Sequence, residues 1–374
     1  MEFHAWGASL ELSGNERIAA AGDIDVVSEG DGDVAIAGNG FAAGVGGDDG
    51  SIVIRTATSG DLRVSQNAFA ASLEVLVLAE RQESPGRSVT FEGNEVSIAG
   101  DAASLFRLEA NVAECAVTDN VLSVVGSADA ETFIGCFTAP ELQGLDMLVA
   151  GNDVSVPRGN ITVQVHRLQR LGQSAESTAT IEDNRFVTAG RLYVEVWENG
   201  SLDPVLRGNT VDAAGVRVRG IGATLVANVV THRAEGLLYL SIGDGLHVEL
   251  TDNEFTKVGA SSPTAAAVRL VYDDKEGTLA MSGNVLRDQY MPLDLSLRVT
   301  DFTATVNDNV FDFPITAPPQ AGRFFACCES RAHLDLRGNR WGDVEDADTL
   351  LTLLELGTSG EAVMEVLLEP LKTE

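Results

Sequence analysis

One short pattern recurs along most of this 374-residue chain: an asparagine with apolar residues at fixed positions on either side. The residue three positions before it is apolar in every copy, and the residue two positions after it is apolar in all but the first copy, which has Arg17. The residue five positions before is also mostly apolar, which is the alternation of a strand with one buried face. Units that cannot bury their own apolar faces predict a solenoid. The repeated asparagines are Asn15, Asn39, Asn67, Asn94, Asn120, Asn152, Asn184, Asn209, Asn228, Asn253, Asn284, Asn309 and Asn339.

The asparagine marks a corner in each repeat. The residue before it is nearly always Gly or Asp, which tolerate left-handed backbone, so the strand is expected to bend sharply there. The asparagine itself tolerates a positive φ, and its amide can bond to the same amide in the next repeat. We therefore predict that Phe186, Val211 and Phe255 are buried beside an asparagine ladder. Its expected members are Asn94, Asn120, Asn152, Asn184, Asn209 and Asn253.

A second apolar segment precedes each of these strands, and no amphipathic helix separates them, so the repeat is not a βαβ unit. The pattern resembles the right-handed parallel β-helix of the pectate-lyase-like superfamily over residues 9–342. The resemblance implies an all-β chain: a single-stranded right-handed parallel β-helix, a solenoid of about thirteen rungs, with a small C-terminal helix/strand cap. The expected divisions are a lead-in at 1–8, the β-helix at 9–342 and the cap at 343–374.

The end of the chain supports this assignment. The segment NRWGD at 339–343 resembles the Asn-x-Trp-Gly that closes many bacterial β-helix proteins. Asp346 or Asp348 can cap a following helix, and Gly357 is expected to end it. No comparable cap is visible at the N-terminus, so an upstream domain or partner is an expectation there.

The charge balance excludes some partners. The net charge of −31, from 56 acidic against 25 basic residues, disfavours nucleic acid and anionic membranes. No apolar run is long enough for membrane insertion. The opening residues show no signal peptide. Either the protein is intracellular, or the segment that exports it lies outside this sequence. The expected location is extracellular or at the cell surface.

The cysteines and acidic turns give weak site signals. Cys115, Cys136, Cys327 and Cys328 form no CxxC pair, so a zinc site is disfavoured and small buried hydrophobes are expected. Cys115 is predicted to be buried and inert, in register with Val89. No cofactor is predicted. Calcium at stacked acidic turns is the alternative to solvated turn residues, and those acids are Glu198, Asp244, Asp273, Asp274, Asp301 and Glu329.

In enzymes of the superfamily the substrate lies across the outward face of one sheet. The resemblance therefore implies a binding row on the first strand of each repeat, where arginines bind carboxylates and aromatic rings stack on sugars. An acidic polysaccharide is the predicted ligand, and a solvated surface is the alternative. The predicted ligand-binding residues are His166, Tyr193, Glu195, Trp197, Arg217, Arg219, Tyr239, Arg269 and Arg298, with Gln164 and Ser241 in the same row.

Three functional classes remain open. The first is a non-catalytic extracellular or surface scaffold that binds acidic glycans. The second is a polysaccharide lyase acting on a uronate-containing chain, with Arg217, Arg219, Tyr239 and Arg269 as candidate catalytic residues. The proline-containing arginine signature of pectate lyases is absent, and hydrolysis is disfavoured because only Glu195 supplies a carboxylate in the row. The third is a protein-binding, adhesin-like rod.

Overall fold

The computed structural model of the protein describes residues 1–7, 9–46, 49–80, 87–100, 104–125, 130–138, 145–167, 178–197, 203–241, 246–259, 265–272, 276–313, 320–327 and 330–372. The chain divides into two compact units, Met1–Leu202 and Asp203–Glu374, which we name unit one and unit two.

The regular elements in the described ranges of unit one are all strands. They are β1 (Glu2–Trp6), β2 (Leu10–Ser13), β3 (Ile18–Ala19), β4 (Ile24–Gly30), β5 (Val34–Ala37), β6 (Gly40–Ala42), β7 (Ser51–Thr58), β8 (Leu62–Ser65), β9 (Ala68–Ala71), β10 (Glu74–Ala79), β11 (Ser88–Glu92), β12 (Glu95–Ala99), β13 (Leu105–Asn111), β14 (Glu114–Thr118), β15 (Val121–Val125), β16 (Ala130–Thr138), β17 (Asp146–Ala150), β18 (Asp153–Val156), β19 (Gly159–Arg167), β20 (Thr178–Glu182), β21 (Arg185–Thr188) and β22 (Arg191–Trp197).

Unit two continues the same pattern and adds one short helix among its described residues. Its elements are β23 (Val205–Arg207), β24 (Thr210–Ala213), β25 (Gly215–Gly220), β26 (Ala223–Val226), β27 (Val229–His232), β28 (Leu237–Ser241), β29 (Leu246–Thr251), β30 (Glu254–Lys257), β31 (Ala266–Tyr272), β32 (Glu276–Ser282), β33 (Val285–Arg287), β34 (Met291–Leu297), β35 (Asp301–Asn307), β36 (Val310–Phe311), β37 (Gly322–Ala326), β38 (Arg331–Asp335), β39 (Arg340–Trp341), α1 (Ala347–Leu353), β40 (Leu354–Thr358) and β41 (Val363–Leu367).

In each unit every third strand joins the same sheet. In unit one, sheet A begins with β1, sheet B with β2 and sheet C with β3, whereas in unit two sheet B begins with β23, sheet C with β24 and sheet A with β25. Neighbouring strands within each sheet are parallel, as in the pairs β10–β13, β11–β14 and β12–β15. Each rung thus contributes one strand to each of three sheets. The predicted all-β parallel β-helix is confirmed.

The asparagine ladder is present in both units. In unit one each Nδ2 from Asn15 to Asn152 donates to the Oδ1 of the next asparagine at 2.7–3.1 Å, and the backbone N–H donates to the same oxygen. In unit two the same bonds join Asn209 to Asn339 at 2.8–3.0 Å. Phe186, Val211 and Phe255 are buried beside the ladder as predicted.

The corner conformation differs from the prediction in one respect. The positive φ belongs to the residue before each repeated asparagine, whether glycine, aspartate or, as at Gln66 and Ala227, another residue. None of the thirteen asparagines has a positive φ. The first copy is also shifted by one residue, because Ile18 rather than Arg17 is in register with Phe41. The apolar side chain therefore still enters the core.

The core of unit one contains a disulfide that the sequence reasoning missed. Cys115 on β14 of sheet B and Cys136 on β16 of sheet A are bonded, with their Cα atoms 6.4 Å apart. Cys115 is buried and in register with Val89, as predicted. The interpretation of both residues as free hydrophobes is wrong, because they lie at inward positions of facing sheets. Cys327 is buried, and Cys328 lies outside the described residues.

The C-terminal segment forms a short helix and then extends two sheets of unit two. The helix α1 begins after Asp346, whose side chain accepts a hydrogen bond from Thr349 N at 2.7 Å. It ends at Leu353, earlier than predicted. Gly357 lies inside β40, which pairs with β37 in sheet A, and β41 pairs with β38 in sheet B. The expectation that Gly357 ends the helix is therefore wrong.

Candidate functional site

Half-buried aromatic side chains cluster on the outward face of sheet A in unit one. Phe133 on β16 is in register with Thr162 and then Tyr193, and Phe137 is in register with His166. The inward positions between them are filled by buried residues such as Ile134 and Cys136. Side chains alternate along a strand, so these aromatic groups must point away from the core. We call Phe133, Phe137, His166 and Tyr193 the aromatic face.

The two phenylalanines of this face meet over a glycine. The rings of Phe133 and Phe137 are nearly parallel, with centroids 6.5 Å apart and planes inclined by 20°. A Cβ atom at Gly135 would lie 2.4 Å from Phe133 Cε1 and 2.8 Å from Phe137 Cε2. Gly135 is therefore required for the rings to lie flat across the strand, which creates a continuous apolar surface.

Polar groups border this surface on both sides. The Arg107 guanidinium lies 5.1 Å from the centre of the Phe133 ring, within cation–π range. Arg107 also pairs with Glu109, with Nη2 2.6 Å from Oε2. On the other side the His166 ring meets Phe137 edge-on at 5.9 Å. The arginine charge is thus already balanced by a neighbouring carboxylate.

A line of polar residues passes between the aromatic groups. Gly135 is in register with Gln164, and Gln164 with Glu195. Both side chains are half-buried. An amide and a carboxylate between aromatic rings can hydrogen-bond the groups around a ligand whose apolar faces stack on those rings.

The structure places four residues of the predicted row on this face: Gln164, His166, Tyr193 and Glu195. The side chain of Trp197 lies outside the described part of the chain, although its Cα pairs with that of His166. Phe133, Phe137 and Arg107 were missed. The signal was present in the segment FIGCF, where two phenylalanines four residues apart share one side of a strand. It was overlooked because phenylalanine is usually a core residue.

In unit two the predicted arginines do not form a continuous basic stripe. Arg217 is in register with Leu238, Leu238 with Arg269, and Arg269 with Asp294. The Asp294 side chain is only 3% exposed and lies 3.3 Å from Arg269 Nε. It also accepts a hydrogen bond from Arg323 Nε at 3.0 Å, which raises the pKa of Arg323. Acidic and apolar residues therefore interrupt the predicted binding row.

The other arginines of the row differ in their position along sheet A. Arg219 is in register with Leu240, on the same outward side as Arg217. Arg298 follows the last residue of β34, and its backbone N–H donates to Tyr272 O at 2.9 Å. Its side chain is exposed. Arg298 therefore lies just beyond the carboxyl end of its strand rather than within a row of arginines.

Tyr239 does not face outward, and that prediction is wrong. It is in register with Val218 on the inward side, fully buried, and its hydroxyl donates to Gly220 O at 3.0 Å. Burial raises the pKa of this hydroxyl above its usual value. Its ring packs near Tyr272 in the core. Tyr239 can neither stack on a surface ligand nor act there as a base, and the side chain of Ser241 lies outside the described residues.

The acidic turns give no metal site in the described part of the chain. No three His, Cys, Asp or Glu side chains within those ranges are arranged to hold a metal ion. Of the six acids considered for calcium, Asp301 begins β35 and is exposed. The other five, Glu198, Asp244, Asp273, Asp274 and Glu329, lie outside the described residues.

Comparison with known proteins adds no relative. No protein-family model, curated protein or solved structure matches the chain. Within the described residues no helix is long and apolar enough to cross a membrane. The arrangement of side chains on the parallel β-helix therefore carries the functional argument.

Proposed function

We propose that the protein is a non-catalytic, extracellular or surface β-helix scaffold that binds carbohydrate on the aromatic face. The observation that carries this proposal is the pair Phe133 and Phe137 lying over Gly135, next to Gln164 and Glu195. These rings are only half-buried, although the core beneath them is already filled. Aromatic surfaces bordered by hydrogen-bonding groups suit sugar rings, which have apolar faces and polar edges.

The carboxylates on this face favour binding over hydrolysis. Glu109 and Glu195 stand in one register line, three rungs apart through Gly135 and Gln164. At about 4.8 Å per rung this is roughly 14 Å, beyond the separation of about 5–10 Å that glycosidases use. Glu109 is also paired with Arg107. This pair is therefore poorly placed for acid–base hydrolysis.

The disulfide supports the proposed location. Bonds such as Cys115–Cys136 persist mainly in oxidising compartments, including the bacterial periplasm and the extracellular space. The strongly acidic surface suits a protein that stays soluble there.

The test is a glycan-binding measurement that includes neutral, amino and uronate oligosaccharides. We expect at least one to bind, and Phe133→Ala combined with Phe137→Ala to weaken it about tenfold or more, since each lost stacking contact contributes about 1 kcal/mol. Gly135→Ala keeps both rings but displaces them, and should also weaken binding. Phe325→Ala is the matched control, because Phe325 is an exposed aromatic residue on sheet A of unit two. Equal affinity of wild type and the double variant would refute the proposal.

An acidic-glycan site in unit two is a second candidate, reduced to Arg217 and Arg219. The Arg217 Nε is buried and has no hydrogen-bond partner among the described residues. Arg269 is less suitable because Asp294 already lies beside it. If this candidate is right, Arg217→Ala with Arg219→Ala should abolish uronate binding while the phenylalanine variants leave it unchanged.

A further inference from the structure

We propose that an open cleft on the outward side of sheet B in unit two binds a zwitterionic α-amino acid, with Arg331 holding its carboxylate and Asp301 its ammonium group. The cleft shares no residue with the aromatic face. This inference therefore does not depend on the proposed function.

Three consecutive strands of sheet B, β35, β38 and β41, form the cleft, which has a volume of about 510 Å³. Its two walls are register lines that lie two residues apart on each strand, so both sets of side chains leave the same face. The buried residues Phe302 and Ala332 lie between the walls. In the order of the strands, one wall contains Asp301, Arg331 and Val363, and the other contains Thr303, His333 and Glu365.

Two opposite charges in the first wall are not used by the fold. Within the described residues neither Arg331 nor Asp301 has an ion pair or a side-chain hydrogen bond. Both are exposed, and they stand in register on neighbouring strands about 4.8 Å apart. Arg337, beside β38, is by contrast paired with Asp335, with Nη2 2.6 Å from Oδ2. A ligand whose carboxylate and ammonium groups are close together can pair with both free charges at once.

The second wall adds acceptors for the ammonium group. His333 Nδ1 lies 3.2 Å from Glu365 Oε2. This carboxylate favours the tautomer with its hydrogen on Nδ1, which leaves Nε2 as an acceptor. Thr303 is in register with His333, and its hydroxyl oxygen is a further acceptor. An ammonium group donates three hydrogen bonds, and Asp301, His333 and Thr303 together supply that number of acceptors.

The charge balance of the cleft disfavours simpler ligands. A plain anion would face the carboxylates of Asp301 and Glu365 and the net charge of −31 of the chain. A plain cation would face the guanidinium group of Arg331. A zwitterion brings both charges and no net charge. The Val363 side chain is 62% exposed beside Arg331, so an aliphatic side chain on the ligand gains an apolar contact there. Leucine is therefore a suitable probe.

The experiment titrates the full chain with leucine, N-acetylleucine and leucine amide, followed by ligand-observed NMR. We expect leucine to bind with a Kd of about 1 mM or lower, and each derivative, which lacks one of the two charges, to bind about tenfold more weakly. Arg331→Gln should weaken leucine binding about tenfold but leave leucine amide unchanged, since the amide has no carboxylate to lose. Asp301→Asn should likewise weaken leucine but not N-acetylleucine. Arg340→Gln is the matched control, because Arg340 is an exposed arginine on β39 of sheet C, outside the cleft.

The inference is overturned if leucine shows no binding at about 10 mM, or if either derivative binds as tightly as leucine. It is also overturned if Arg340→Gln weakens leucine binding as much as Arg331→Gln. Phe133→Ala with Phe137→Ala should leave leucine binding unchanged, since the cleft contains neither residue. Failure of glycan binding in wild type with leucine binding intact would refute only the proposed function, and the reverse result would refute only the amino-acid site.

Discussion

The two units share one backbone pattern but differ on the outward side of sheet A. In unit one this side presents half-buried apolar groups, among them Leu76, Phe133 and Phe137. In unit two the corresponding line passes through Arg269, Asp294 and Arg323, where both arginines pair with Asp294. Both units have the same three parallel sheets and the same ladder.

The difference shows which positions the fold controls. Inward positions and the corner asparagines must repeat, because each rung has to cover the apolar face of the next. Outward positions carry no such requirement, so they can diverge between rungs. The cores also contain different additions: unit one has the Cys115–Cys136 bond, and unit two has a buried polar cluster around His232.

Removing the disulfide should affect unit one most strongly. Cys115→Ala with Cys136→Ala releases a cross-link between residues 21 apart in sequence, which lowers the unfolding free energy by about 3 kcal/mol in the chain-entropy estimate. Urea unfolding gives the total change. Relative to wild type, hydrogen exchange in the variant should accelerate more in β14 and β16 than in the strands of unit two. Unchanged stability of the variant would mean that the bond does not form in solution.

Acidification should lower the stability of the protein because His232 in unit two is buried in its neutral form. The ring is fully buried, its Nδ1 lies 2.8 Å from Ala234 O, and its Nε2 lies 3.0 Å from Gln289 Nε2. Burial lowers the pKa of His232 to about 4 from 6.5, and the nearby Lys257 charge adds to this effect. Below pH 6.5 the unfolded chain gains a proton that the folded chain does not. Stability is therefore lost as the pH falls from 6.5 towards 4.

This loss should be about 2–3 kcal/mol greater for wild type than for His232→Gln. Taking the difference removes the contribution of the carboxylates that titrate in the same pH range. His247→Gln is the control, since this histidine lies on the surface of sheet B with its Nδ1 2.8 Å from Thr278 Oγ1. Parallel stability curves for wild type and His232→Gln between pH 7 and 4.5 would show that the ring is not buried in its neutral form.

Much of the fold was predictable because one residue type fixes the register of two sheets. The corner between sheets B and C is short and nearly constant, so counting from each asparagine identifies inward residues such as Phe91 and Val96. The disulfide was harder to predict from the sequence. It required the register of sheet A, which places Cys136 opposite Cys115.

The candidate site was only partly predictable because the connection into sheet A varies in length. The outward residues Arg217, Leu238 and Arg269 follow their corner asparagines by eight, ten and sixteen residues. An error of one residue moves every side chain of a strand to the opposite face. Tyr239 was misplaced in this way, since a polar tip suggested a surface residue although the ring is needed in the core.

Removing one asparagine from the ladder should lower the unfolding free energy by the same amount in both units. In Asn120→Ala the Asn94 backbone N–H and Nδ2 lose their common acceptor, and Phe91 O loses a donor. Buried groups left unpaired in this way cost about 1–3 kcal/mol. Asn253→Ala in unit two removes the equivalent bonds. A difference between the two variants of more than about 1 kcal/mol in urea unfolding would contradict the equivalence of the ladders.

Glycine substitutions at the left-handed corner residues should have the smallest effect on stability, and they should raise it rather than lower it. Ala227 and Gln66 each precede a ladder asparagine with φ of 55°, a conformation that costs a residue with a Cβ atom about 1–2 kcal/mol. Replacement by glycine removes this cost, but the greater freedom of glycine in the unfolded chain offsets about 0.5–1 kcal/mol of the gain. Ala227→Gly in unit two and Gln66→Gly in unit one should therefore each raise stability by about 0.5–1 kcal/mol. Gly93→Ala is the reverse test, since φ is 61° there and the nearest atom to an added Cβ lies at 3.7 Å, so only the backbone cost is introduced. Destabilisation by either glycine substitution, or stabilisation by Gly93→Ala, would mean that the corner conformation is not the one described.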